Sequence, residues 1–145
     1  MCKQKKKIIL ENDLYKEMID YATQRLPEEA CGIVAGVYIK DAFYIRKIYF
    51  LENKDHAPNH FSINPLEQLD VIKKIRAGNL ELLGCWHSHT TTKAVPSPED
   101  IRLAYDSNIS YLILSLKDSK PVIKSFHIEN GDYTEENLTI LYYYI

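Results

Sequence analysis

Cysteine is scarce in this chain of 145 residues: Cys2, Cys31 and Cys85 are the whole complement. Their number is odd and no C-x-x-C pair occurs, which argues against a disulfide framework and for reduced thiols in a cytoplasmic protein. Cys31 and Cys85 lie in apolar stretches and are expected as small core residues. An excess of one charge is missing too. Lys and Arg number 18 against 20 Asp and Glu, a net charge of −2, so no nucleic-acid partner is expected. The one basic cluster, Lys3, Lys5, Lys6 and Lys7, reads as a solvated tail. Long apolar runs are absent. Ile8-Ile9-Leu10 is too short for the core of a signal peptide, and nothing approaches the ~20 apolar residues of a membrane helix. Linkers, repeats and low-complexity tracts are absent as well, so one domain over residues 1–145 is expected. With 46% hydrophobic and 26% charged residues, a domain of this size buries a core without covalent staples.

The pattern along the chain mixes strands and helices without regular alternation. Residues 7–10 read as a strand. Asn12 is expected to cap a helix that runs to about Leu26, with Leu14, Met18, Ile19, Ala22 and Leu26 on one face. Pro27 should end it, because proline disfavours helical geometry in the residue before it. Residues 33–37 read as a buried strand and 43–51 as an alternating one, followed by a polar loop over 52–64 that contains Pro58. A second helix is expected from Pro65 to Ala77, with Leu66, Leu69, Ile72 and Ile75 facing inward and Gly78 as its stop. Strands follow at 82–87, 111–116, 122–128 and 138–145, with a short helix starting at Pro98 and a hairpin turn at Asn130-Gly131. The expected class is α+β: a single curved mixed β-sheet flanked by helices.

The chemistry is concentrated in Trp86-His87-Ser88-His89, then seven residues, then Ser97-Pro98-Glu99-Asp100. Histidines at i and i+2 of an extended chain point to the same side, so both imidazoles can reach one ion. A carboxylate returned by a short loop makes a third ligand. Two nitrogens and one oxygen suit zinc and leave a fourth position open. Each half also has a plainer explanation. His-Ser-His can be a polar strand end. Ser97 to Asp100 can be a helix start, with Ser97 as N-cap, Pro98 at the first helical position and Asp100 closing a capping box.

Taken together, H-S-H, seven residues and S-x-x-D resemble the defining motif of the JAMM (MPN+) metallopeptidases. The resemblance extends to Glu29-Ala30-Cys31-Gly32 near the start, to Phe61-Ser62-Ile63-Asn64-Pro65 before the second helix, and to Gly84. It covers nearly the whole chain. It implies the JAMM/MPN fold, a cytidine-deaminase-like three-layer arrangement. It also implies one Zn2+ per chain on His87, His89 and Asp100, Glu29 as general base, and Ser97 as hydrogen-bond donor to the developing oxyanion. Glu28 competes with Glu29, but only Glu29 has the family's spacing to Cys31. His56, His60 and His127 are expected to be exposed residues without a ligand role. The tract Tyr142-Tyr143-Tyr144 is expected in an aromatic-rich closing strand.

Thr90 departs from the commonest form of the motif, where many members have proline. The run from Thr90 to Pro96 instead resembles a bacterial subgroup that releases cysteine from a cysteine-charged sulfur carrier. The partner this implies is a small ubiquitin-fold sulfur carrier protein ending in Gly-Gly, with Thr90 and Lys93 as candidate substrate-binding residues. Neither nucleic acid nor membrane is expected as a partner, and the oligomeric state stays open. Two alternatives remain: an isopeptidase that removes a ubiquitin-like modifier from protein lysines, and a non-catalytic MPN scaffold. The catalytic residues would be the same in both peptidases. A scaffold typically lacks the ligand set that is present here. Zinc nucleoside deaminases are set aside, because their H-x-E and P-C-x-x-C pair is missing.

Overall fold

The computed structural model describes residues 7–143. Cys2, Lys3, Lys5, Lys6, Tyr144 and Ile145 lie outside the described residues, as do the expectations attached to them. The elements run β1 (Lys7–Glu11), α1 (Asn12–Arg25), β2 (Cys31–Ile39), β3 (Ala42–Leu51), α2 (Pro65–Ala77), β4 (Glu81–His89), α3 (Pro98–Arg102), β5 (Ser110–Ser115), β6 (Val122–Glu129) and β7 (Asp132–Leu141).

Strand order is β1-β3-β2-β4-β5-β6-β7. The sheet is mixed: β1 runs parallel to β3 and to β7, β4 runs parallel to β5, and the other pairs are antiparallel. The expected curved sheet goes further than curvature. Because β1 pairs on both sides, the sheet closes into a barrel.

Three apolar clusters explain the layers. Tyr15, Met18 and Ala22 of α1 pack with Val34, Phe43, Ile45, Trp86, Leu112 and Leu114 on one face of the strands. Val71 and Ile75 of α2 pack with Ile33, Ala35 and Leu51 on the other. Ala94, Ile101 and Ala104, from the α3 segment, cover Ile113, Phe126 and Ile128. Residues 33 and 34, or 112 and 113, fall in different clusters because successive strand side chains point to opposite faces. Helices on both faces of the strands make the three layers.

Several local expectations are corrected. Glu11, not Asn12, is the N-cap of α1, and Asn12 is its first helical residue. Leu26 is the extended C-cap (ψ 137°), the geometry favoured before Pro27, and it is exposed rather than on the buried face. In α2, Leu66 and Leu69 are 77% and 48% exposed, and Val71 and Ile75 carry the buried face. Ile75 is buried as expected and Ile72 is half-buried, so the expected face fails only in its first two turns, where Leu66 and Leu69 fit the helical spacing but have no strand to pack on. Gly78 does cap α2, but the left-handed residue is the next one, Asn79 (φ 57°). Alternation in β3 breaks where Arg46 has no partner, between the pairs Ala35↔Lys47 and Gly36↔Ile45. That bulge returns Ile48 to the same cluster as Phe43 and Ile45. Asn130 and Gly131 both have positive φ, as the predicted hairpin requires. β7 begins at Asp132, earlier than expected, and ends at Leu141, so Tyr142 and Tyr143 lie exposed beyond it.

Candidate metal centre

The site forms where β4 ends beside β5 and the start of β2. Cys31 pairs with His87, and His87 and His89 pair with Ile113 and Ser115. Gly84 allows this close packing: a Cβ there would lie 1.8 Å from the Ser110 carbonyl oxygen. The loop before β2 is tied to β4 by two hydrogen bonds. Ser88 N donates to Ala30 O (2.9 Å), and Ala30 N donates to Ser88 Oγ (2.7 Å). Ser88 points away from its two histidine neighbours, as alternation demands, and holds Glu29 next to them.

His87 Nε2, His89 Nε2 and Asp100 Oδ2 converge. The nitrogens are 3.2 Å apart and lie 3.2 and 3.0 Å from the carboxylate oxygen. Among the described residues, this is the group of histidine, cysteine and acidic side chains whose ligand atoms come close enough to hold an ion. In a tetrahedral zinc site with ~2.0–2.1 Å bonds, neighbouring ligand atoms sit about 3.3 Å apart, so the donor set fits that metal. Supporting contacts fix the ligands. His89 Nδ1 donates to Lys93 O (2.8 Å), which turns its Nε2 to the cluster, where a bound metal would take the lone pair of that nitrogen. Phe61 stacks on the His87 ring, with centroids 4.7 Å apart and planes 25° from parallel.

Both explanations of Ser97 to Asp100 hold together. Asp100 N donates to Ser97 Oγ (3.0 Å), and Ser97 N donates to Asp100 Oδ2 (2.9 Å), a complete capping box. The same Oδ2 faces the histidines. Burial alone would raise the Asp100 pKa, but the hydrogen bonds from His87 and His89 outweigh it and hold the carboxyl well below the usual range. His89 is raised against its own burial by Asp100 and by the Lys93 carbonyl.

Glu29 is buried beside the cluster. Burial pushes its carboxyl up to about 8, against the lowering effect of His89. Glu28 instead faces His56, whose Nδ1 is 3.2 Å from Oε1. Cys31 is buried and its thiol is pushed up to about 12, as expected of a packing residue. His60 and His127 face Asp55 and Glu129 at 3.3 and 2.9 Å, away from the cluster. Thr90 and Lys93 line neither cavity described below. Thr90 Oγ1 donates to Pro58 O (3.0 Å), and Lys93 contributes its carbonyl to His89 while its side chain is exposed.

Sequence reasoning missed Asn53. It is buried, and its Nδ2 donates to the carbonyls of Glu29 (3.1 Å), His60 (3.0 Å) and Ala57 (3.4 Å). Its Oδ1 accepts from Asp55 N and Ser62 N. One amide thus shapes the loop from β3 to α2 around Glu29. A lone asparagine in a polar loop carries no periodic signal that would have marked it.

A groove of about 390 Å³ runs from the cluster, with Phe61, Ile63, His87, Asp100, Leu103 and Tyr105 among its walls. A second cavity of about 340 Å³ includes Glu29 in its lining.

The family described as prokaryotic homologs of the JAB domain matches residues 11–129. The CysO-cysteine peptidase of Mycobacterium tuberculosis is 28% identical over 138 residues, covering 94% of this chain and 93% of that protein. The desampylase of Pyrococcus furiosus is 28% identical over 89 residues, 61% of each chain. A protein of Desulfitobacterium hafniense solved in solution superposes with a TM-score of 0.85 at 42% identity, covering 94% of both chains. With a family match that takes in both histidines, Asp100 and Glu29, the chain belongs to the prokaryotic JAB-domain family.

Proposed function

We propose that the chain is a cytoplasmic zinc metallopeptidase that hydrolyses the amide bond after the C-terminal Gly-Gly of a small ubiquitin-fold sulfur carrier, releasing an amino acid such as cysteine. The observation that carries the reading is the convergence of His87, His89 and Asp100 with Glu29 buried beside them. One Zn2+ held there supplies a Lewis acid that polarises the scissile carbonyl and makes water more acidic.

The chain's own residues do the rest. Glu29, buried beside the ligands, takes a proton from the attacking water and returns it to the departing amine. The Ser97 hydroxyl accepts from Asp100 N, which leaves its own proton for the developing oxyanion. An extended diglycyl tail suits the apolar groove beside His87, because glycine has no side chain to exclude. The peptidase of M. tuberculosis supports this substrate through near-complete coverage of both chains. The desampylase match, over a shorter stretch, keeps removal of a modifier from lysine as the second reading.

Mass spectrometry of two adducts of one carrier tests the choice. One ends in cysteine, and the other is joined through Gly-Gly to a lysine side chain. Rapid loss of cysteine with slow isopeptide cleavage is expected. The opposite preference would replace the first reading by the second.

A further inference from the structure

The groove beside the cluster has a direction. His87 and Asp100 are among its walls, so it starts at the candidate ligands. From there it follows two parallel strands, with His87 and Cys85 of β4 beside Ile113 and Tyr111 of β5. No lining residue comes from either strand beyond His87 or Ile113. The groove therefore leads from the ligands toward the N-terminal ends of β4 and β5, where Tyr105, Asp106 and Ile109 line it. A tail whose scissile carbonyl sits at the ligands lays its upstream residues along this path. Two residues of extended chain span about 7 Å, the same as the step from His87 to Cys85 or from Ile113 to Tyr111. With Gly-Gly over that step, the residue directly upstream comes to Tyr111 and the far end.

That end joins apolar surface to one uncompensated charge. Tyr105 is 86% exposed and Leu103 is exposed too, so the fold covers neither. The Tyr111 ring is held in place: its hydroxyl donates to Asp106 O (2.8 Å) and accepts from Asp106 N (3.3 Å). Asp106 is fixed in turn, with Oδ1 accepting from Asn108 N (2.8 Å). Three carboxylates line the groove, and no lysine or arginine does. Asp100 faces the histidines, and Glu99 lies 3.8 Å from Arg102. Among the described residues, no cation reaches Asp106 at ion-pair distance. A fixed carboxylate beside exposed aromatic rings suits a long basic side chain, whose stem packs on the rings while its head meets the charge.

We propose that Asp106, with Tyr105 and Tyr111, selects carriers whose residue directly upstream of Gly-Gly is arginine or lysine. The assignment rests on the peptidase reading above and narrows its partner. A tail with an acidic residue at that position meets Asp106 with like charge, and one with a short polar residue leaves the rings uncovered.

The test uses the zinc-loaded full chain and peptides of the form Ala-X-Gly-Gly-Cys, in which X is arginine, norleucine or glutamate. The expected kcat/KM is highest for arginine, and about tenfold or more above that for glutamate. Asp106→Asn keeps a side-chain oxygen for the Asn108 amide, and should bring arginine close to norleucine through KM. Asp106→Lys should reverse the order of arginine and glutamate, an outcome that a damaged fold does not produce. Tyr105→Ala should lower arginine and norleucine alike. A readout independent of turnover is calorimetry with the product peptides Ala-Arg-Gly-Gly and Ala-Glu-Gly-Gly. The first should bind more tightly, by a margin that shrinks as salt rises. Equal rates for arginine and glutamate, or an order untouched by Asp106→Lys, would overturn this assignment and leave the peptidase reading standing. Cleavage of none of the peptides by zinc-loaded protein would overturn both.

Discussion

The segment from His87 to Asp100 and the loop from Glu52 to Asn64 build the same site by different means. The first supplies the converging atoms: two histidines on one strand face and a carboxylate in the first turn of a helix. Its residues are chemically distinctive and fixed in spacing. The second supplies no atom to the cluster. It contributes Asn53, which gathers three carbonyls, and Phe61, which backs the His87 ring. The candidate metal ligands come from one segment, and the other shapes the surroundings of those ligands and of Glu29, which comes from neither.

The sharpest way to break this division is to strike the first segment. His87→Ala or His89→Ala should remove both bound zinc, read by metal analysis, and peptidase activity. Activity intact in a zinc-free variant would reject the mechanism. Outside both segments, Glu29→Gln comes next. It should keep the metal and lose about 10²–10⁴ in kcat, because the water loses its proton acceptor. The same variant has a second signature in the metal-free chain. The Glu29 carboxyl titrates at about 8 in the fold, against an ordinary 4.5. The folded chain keeps a proton that the unfolded chain releases, so the Glu29 contribution to stability falls as pH rises between those values. Thermal midpoints of the metal-free protein should show this decline, and Glu29→Gln should flatten it. An unchanged slope would remove Glu29 from the buried position described.

Striking the loop should give a different pattern. Asn53→Ala leaves buried carbonyls without a donor and should lower stability by about 1–3 kcal/mol in denaturant titration. Zinc content should hold, because no ligand is touched. Loss of zinc in a folded Asn53 variant would erase the distinction between the two segments. The smallest effect is expected of Glu28→Gln. Its partner His56 is exposed, so stability should change by no more than ~0.5 kcal/mol. A collapse in kcat there, with Glu29→Gln active, would show the acidic pair to be exchanged.

The same contrast explains what could be read from the chain alone. His87, Ser88, His89, Ser97 and Asp100 carry metal and capping chemistry at short range, and the strands around them follow local alternation. Their convergence was legible because few residue types can do that work at that spacing. Asn53 was not, since an asparagine in a polar loop looks the same whether its amide meets water or three carbonyls. Leu66 and Leu69 misled for the opposite reason: helical periodicity was present, but the face that packs is decided by β2 and β4, which are distant in sequence. Closure of the sheet was equally hidden, because a five-residue strand does not announce how many neighbours it will have.

That closure carries a consequence for how the molecule assembles. Lys7 pairs with Asn137 and Glu11 with Leu141, so the barrel's seam joins segments about as far apart along the chain as the described residues allow. During synthesis the first strand therefore emerges long before one of its two partners exists, and it stays half-paired until β7 leaves the ribosome. Contacts of such long separation slow the search for the native state, and an unpaired edge is exposed to other chains in the interval. In the finished barrel the seam reverses that hazard. Among the described residues every strand then has a neighbour on each side, and none keeps a wholly unpaired edge to recruit another molecule.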